Sequence, residues 1–313
     1  MNIWRLQTNT ASDEEKKIAD YCLENKIIAI GWSLKNLPND QENDRANIVT
    51  FDDYIKFIED YNVYGGKLNS NVKRFYYDIK TDDLIWMRSS GIYYLGRVTE
   101  DSNWTFNTSD EARKFDAANQ ITNIQWYRIG DESSVPGAIA TSLIRGMTLQ
   151  KIWKEGVFEY SQLIFNEMSN TKHYKVAGFE KNADTFYSLL STDDCEDLLC
   201  LWLYAKYGYI TIPSTNKKST ECYECILKDP KSGKNIYPQV KAGTVTLYES
   251  HYEHLNGEVW LFTTKGSVVK NTSGNRKNIF IADPEELFDF VGTRVAKNIL
   301  PESIINWYDK LFK

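Results

Sequence analysis

Histidine is almost missing from this chain: three residues of 313, at His173, His251 and His254. That leaves little material for imidazole-based acid–base or nucleophilic chemistry. The His-Glu-x-x-His pattern of zinc proteases, the phosphate-cradling Walker loop and the glycine-rich dinucleotide fingerprint are absent too. Long apolar runs are lacking. The longest, Leu198 to Ala205, is broken by Tyr204 and is far too short to span a bilayer. The first residues show no basic start leading into an apolar stretch, so no secretory leader is expected. The five cysteines are too few for a disulfide scaffold and fit a reducing compartment. These absences together predict a cytoplasmic protein with no membrane association.

What is present predicts a chain folded almost throughout. Hydrophobic residues make up 42% and charged residues 26%, with no low-complexity stretch, and 313 residues suggest about two domains. The net charge of −6 argues mildly against a nucleic-acid binder. Residues 1–150 carry 22 acidic and 17 basic side chains, the remainder 21 and 20, so the acidity lies mostly in the first half. An enzyme of nucleic acid with this balance needs a local basic patch and bound cations to hold phosphate.

Residues 1–155 read as mixed strand and helix. Strands are expected at Ile3–Thr8, Ile27–Trp32 and Asn123–Gly130, and a hairpin over Asp83–Thr99 turning at Ser89-Ser90-Gly91. Ser12, with Glu15 three residues on, predicts a capped helix, and Phe51–Tyr61 has helical spacing. A Pro-Gly turn followed by helix is expected from Val135 to Ile152. Residues 156–190 read as a helical connector, since they lack a Gly/Ser/Pro-rich run. Residues 191–313 give a clearer order: a helix over Asp193–Tyr207, strands near Tyr209–Thr215, Thr220–Asp229 and Ile236–Gly243, a helix over Leu247–Asn256, a strand over Glu258–Gly266 and a closing helix from Pro284. That is an α/β core of αβββαβ order.

Three residues of this second half carry the chemistry. Gln239 and Lys241 lie two apart on a strand and so project from one face. Pairing with the preceding strand can set Glu224 beside them. Glu224 would hold a divalent cation, Mg²⁺ or Mn²⁺, Gln239 would offer its amide oxygen, and Lys241 would orient water or stabilise charge on phosphate. Glu196, followed by Asp197, lies near the apolar face of the preceding helix and could complete the cation shell. The plainer alternative is an ordinary half-exposed Glu–Lys pair on a sheet. This arrangement resembles the PD-(D/E)XK nuclease superfamily, and within it the Mrr-like restriction endonucleases, which carry a Gln-x-Lys signature matched here by Gln239-Val240-Lys241. The resemblance covers roughly residues 190–290. It implies a metal-dependent deoxyribonuclease, with a homodimer supplying the two cuts of a double-strand break.

The first half is rich in tryptophan: Trp4, Trp32, Trp86, Trp104 and Trp126. Any one of them is more often core than ligand cage. The strand ending Gly31-Trp32-Ser33, the later hairpin and the Gln125–Ile139 stretch together resemble the EVE domains of the PUA-like superfamily, a small β-barrel with helices. That resemblance implies an aromatic pocket for a modified or flipped base, with Trp32 and Ser33 lining it and Trp104 as a second wall. The combined expectation is a modification-dependent endonuclease of anti-phage defence. The rivals are a catalytically inactive nucleic-acid-binding module and a nuclease effector switched on by a small nucleotide. Ser214, Lys217 and Thr220 read as a polar turn, with phosphate contact as the alternative. Cys222 and Cys225, with Cys195 and Cys200 as further ligands, read as ordinary buried thiols rather than a zinc site. His251 and His254 read as a solvated helix face.

Overall fold

The structure, a computed structural model, describes residues 1–8, 17–144, 146–154, 156–176, 179–216, 222–271 and 278–313. The chain clusters into two compact units. One comprises Met1–Glu132, Thr141–Trp153 and Val157–Ala177. The other comprises Ser133–Ala140, Lys154–Gly156 and Gly178–Lys313. Both mix helix and sheet. None of the described helices is long and apolar enough to cross a membrane.

The first unit holds strands β1 (Ile3–Leu6), β2 (Ile28–Ile30), β3 (Leu84–Ser89), β4 (Ile92–Val98), β5 (Trp104–Phe106), β6 (Asn119–Ile121), β7 (Ile124–Gly130) and β8 (Leu149–Lys151). Five make one sheet in the order β7-β4-β3-β1-β8, and three make a second, β2-β6-β5. The barrel expected here does not close: among the described residues neither sheet returns on itself. The expected hairpin is β3–β4, with Ser89 opposite Ile92. Its two-residue turn places Ser90 and Gly91 at φ +49° and +81°, which matches the right-handed twist of the flanking strands. Asp83 is fully buried and accepts from the Asn2 backbone N–H (2.6 Å) and from Trp4 Nε1 (2.7 Å), which aligns β1 with β3. Residues Leu149–Lys151, expected as helix, instead pair antiparallel with β1. Ser12 and Glu15 lie outside the described residues, and the helix seen is Ile18–Glu24. Helix Phe51–Asp60 starts at a capping box of Thr50 and Asp53.

The second unit holds β9 (Ile210–Thr211), β10 (Leu227–Lys228), β11 (Asn235–Lys241), β12 (Leu247–Tyr248), β13 (Glu258–Thr263), β14 (Val268–Val269) and β15 (Ile279–Ile281). Its five-stranded sheet runs β15-β13-β11-β10-β9, parallel from β11 to β15 and antiparallel at β10 and β9. One face carries Tyr237, Val259 and Leu261, packed with Leu247 and Tyr252. The other carries Trp260 and Phe262, whose rings meet Trp202 (5.5 Å) and Tyr187 (5.5 Å) of flanking helices. The helix expected over Leu247–Asn256 is instead β12 followed by the 3-10 turn Glu249–Tyr252. His251 lies on that turn and His254 beyond it, so the helical spacing read for them does not exist.

Candidate active site

Helix Thr192–Tyr207 begins where Ser191 and Asp194 close a capping box: Asp194 N–H donates to Ser191 Oγ (3.0 Å) and Ser191 N–H to Asp194 Oδ2 (2.8 Å). Such a cap contributes about 1 kcal/mol. The helix buries Cys195, Leu198, Leu199, Trp202 and Leu203, packs against β11, and stops at Gly208 in the left-handed region. Glu196 emerges half-buried beside that apolar face.

The segment carrying Glu224 is not the regular strand expected from sequence. The β10–β11 pairing sets Leu227 opposite Ile236, and extending it would bring Glu224 level with Gln239. Pro238 offers no N–H, so the ladder loses a bond there. A backbone contact remains close by, from Glu224 N–H to the Pro238 carbonyl, 2.9 Å. The ladder stops but the chain stays alongside, and Glu224 is left pointing at Gln239.

Glu224 Oε1 is the meeting point. It accepts from Gln239 Nε2 at 2.7 Å and from the Val240 N–H at 3.3 Å, and Lys241 Nζ lies 3.8 Å away. The Lys241 side chain is 42% exposed and that of Glu224 18%, so the pair is open to solvent. Gln239 lies deeper, at 0% exposure. Its Oε1 is buried and has no hydrogen-bond partner among the described residues. Among the described residues no hydrogen bond joins Glu196 to these three, but the charges of Glu224 and Lys241 act on it. Burial, and next the negative charge of Glu224, push the Glu196 carboxyl up from 4.5 to about 7, while Lys241 pulls it down.

These donors suit a hard divalent cation. Two carboxylates and one amide oxygen are oxygen ligands of the kind Mg²⁺ and Mn²⁺ take. Gln239 Oε1 is thus a buried acceptor that no described residue engages. As oriented, the amide turns its nitrogen toward Glu224, so ligation through Gln239 requires the carboxamide to rotate by half a turn. Among the described residues no group of three His, Cys, Asp or Glu is placed to hold a metal. A cation held here would draw much of its shell from outside the protein, as is usual for Mg²⁺.

Other residues singled out from sequence are placed as follows. Asp197 is exposed on the helix and Ser214 is exposed on a 3-10 turn, while Lys217 and Thr220 lie outside the described residues. Cys222 is half-buried, and Cys195, Cys200 and Cys225 are buried free thiols. In the first unit, Trp32 is half-buried with φ +60°, a left-handed conformation that a bulky residue adopts only when its surroundings impose it. Its carbonyl accepts from Tyr54 Oη (2.9 Å) and Asn119 Nδ2 (3.3 Å). Ser33 is sealed from solvent. Its N–H donates to Asp116, its carbonyl accepts from Arg45 Nε, and its Oγ accepts from the Ala118 N–H. Ser33 thus shapes the turn from beneath rather than facing outward. Trp104 stands edge-on to Phe51 (5.1 Å), Tyr54 (6.2 Å) and Tyr76 (5.7 Å). Tyr54 therefore touches both tryptophans. Trp104 Nε1, Asn119 Oδ1 and Arg45 Nη2 are buried without partners among the described residues. Tyr54, Asn119 and Arg45 went unread in the sequence. Tyr54 sits on an ordinary apolar helix face, and Asn119 and Arg45 carry no local motif.

Among family models, one described as a domain of unknown function (DUF8426) matches residues 4–152, a span that takes in β2 through β8. No curated protein and no solved structure matches the chain.

Proposed function

We propose that this chain is a metal-dependent DNA endonuclease of the modification-dependent restriction type. In this reading the second unit is a PD-(D/E)XK core of Mrr-like kind, and the first is an EVE/PUA-like reader of an altered base. The observation that carries it is the convergence on Glu224 Oε1 of Gln239 and Lys241, with an unused buried oxygen on Gln239. Glu224, Glu196 and the Gln239 amide oxygen would hold the cation. A bound Mg²⁺ or Mn²⁺ supplies Lewis acidity at a phosphate oxygen and makes water more acidic. Lys241 places its ammonium where charge develops on the phosphate. Val240 N–H and Gln239 keep the Glu224 carboxylate aimed. In the first unit Trp32 and Trp104 would flank the base, with Ser33 and Tyr54 holding the turn, and the partnerless Trp104 Nε1 and Asn119 Oδ1 offer a donor and an acceptor for its edge.

The test is incubation with phage DNA of differing base modification, with Mg²⁺ or Mn²⁺. Cleavage of modified DNA is expected, and Lys241→Ala should reduce it about 100-fold or more. Undiminished cutting by that variant would remove the assigned centre. A second reading, a DNA-binding module without catalysis, draws on glutamine standing where a second acid is usual and turning its nitrogen toward Glu224. Binding of modified DNA without cutting in either cation would favour it.

A further inference from the structure

We propose that Cys200 and Cys225 are an oxidation site for peroxide whose disulfide distorts the carboxylate centre. Their Sγ atoms lie 3.7 Å apart, and both thiols are free. Each sits next to a residue of the centre. Cys200 is four residues after Glu196 on one helix, so the two share a face, and Cys225 directly follows Glu224. A soft-metal role does not fit, because among the described residues no third ligand joins the pair. Cys200 and Cys225 are 9% and 4% exposed as residues, but the adjoining Glu224 side chain reaches solvent, and hydrogen peroxide is hardly larger than water.

The chemistry balances with hydrogen peroxide as oxidant. One thiol sulfur attacks a peroxide oxygen; the S–O bond forms, the O–O bond breaks, and the departing oxygen leaves as water carrying the thiol proton. The second sulfur attacks the resulting sulfenic sulfur; the S–S bond forms, the S–O bond breaks, and a second water leaves. Two thiols lose two electrons, and the peroxide is reduced to two waters. A disulfide is about 2.05 Å long. Closing the 3.7 Å gap requires the two sulfurs to approach by well over 1 Å, through side-chain rotation together with a shift of helix Thr192–Tyr207 against the Glu224 segment. A misplacement of about 1 Å costs on the order of 100-fold in rate. The link itself is independent of the nuclease reading; its effect on cleavage rests on that reading.

The experiment treats the full chain with hydrogen peroxide, alkylates the remaining thiols, and maps peptides by mass spectrometry without reduction. The expected product is a Cys200–Cys225 peptide that dithiothreitol reverses, with Cys22 and Cys195 still alkylated. Separate alkylation of Cys200 and Cys225, or a link through Cys222 instead, overturns the proposal. The distortion is read by Mn²⁺ affinity in calorimetry and by DNA cleavage. Both should fall about 100-fold or more in the oxidised protein, recover on reduction, and stay constant in Cys200→Ser or Cys225→Ser, two variants guarding against a folding failure of either. A link that forms while Mn²⁺ affinity and cleavage stay the same overturns the distortion. A link that forms and weakens Mn²⁺ binding, in a protein that cuts no DNA when reduced, upholds the thiol site and sinks only the nuclease reading.

Discussion

At Glu196 a single carboxyl reports the character of the whole site. Burial and the Glu224 charge both favour its protonated form, and its value rises from 4.5 to about 7. The sign of the linkage follows. Between pH 4.5 and 7 the folded chain keeps a proton that the unfolded chain has released, so this group's stabilising contribution is complete below 4.5 and drains away as pH rises to 7. Glu196→Gln removes the penalty of ionisation. Thermal melts should show the variant more stable than the parent at pH 8 and equal to it near pH 4.5; a difference independent of pH would mean the carboxyl is not held as described. Lys241 differs in kind: with its side chain 42% exposed, its replacement should cost little stability, so a loss of cleavage in Lys241→Ala cannot be blamed on unfolding.

The element that matters most is helix Thr192–Tyr207, because its start determines where Glu196 and Cys200 fall. Asp194 closes the capping box and also lies against Gly137, where an added Cβ would come within 1.8 Å of Asp194 Oδ2 and 2.8 Å of the Ser191 nitrogen. Gly137→Ala must therefore push the cap aside. It should destabilise by about 2 kcal/mol or more, against about 1 kcal/mol for Ser191→Ala. Urea unfolding of the two variants checks the order. If Gly137→Ala proved harmless, the close packing of Gly137 on the cap would be wrong.

For the whole molecule the governing quantity is charge. With 43 acidic against 37 basic side chains the chain repels DNA at long range, so the proposed DNA binding would have to come from a few local contacts and from bound cations. Affinity for modified DNA should then fall gently with salt, with a log–log slope shallower than about −3, as for three or fewer phosphates neutralised. A slope near that of strongly basic binders would contradict the single-base reader. Chelation with EDTA should abolish cleavage and leave binding by the first unit in place, which gel-shift and cleavage assays on the same DNA can separate.

Much of the fold was legible because its signals are local. The β3–β4 hairpin, the helices at Phe51 and Thr192, and β11 and β13 follow from alternation, caps and turn residues that act over a few positions. Glu224, Gln239 and Lys241 were readable as candidates because a strand puts alternate residues on one face. The sequence alone therefore determined the α/β character, the starts of the helices at Phe51, Thr192 and Pro284, and the residue types near the centre. Only tertiary structure decided that Pro238 would interrupt the ladder beside Glu224, that β8 would join β1 from a stretch reading as helix, and that Leu247–Tyr252 would be strand and 3-10 turn. It alone brought Tyr54 and Asn119 to Trp32, and Cys200 to Cys225. The reason is physical: these outcomes depend on which backbone groups and side chains find partners from distant parts of the chain, and no local pattern carries that information.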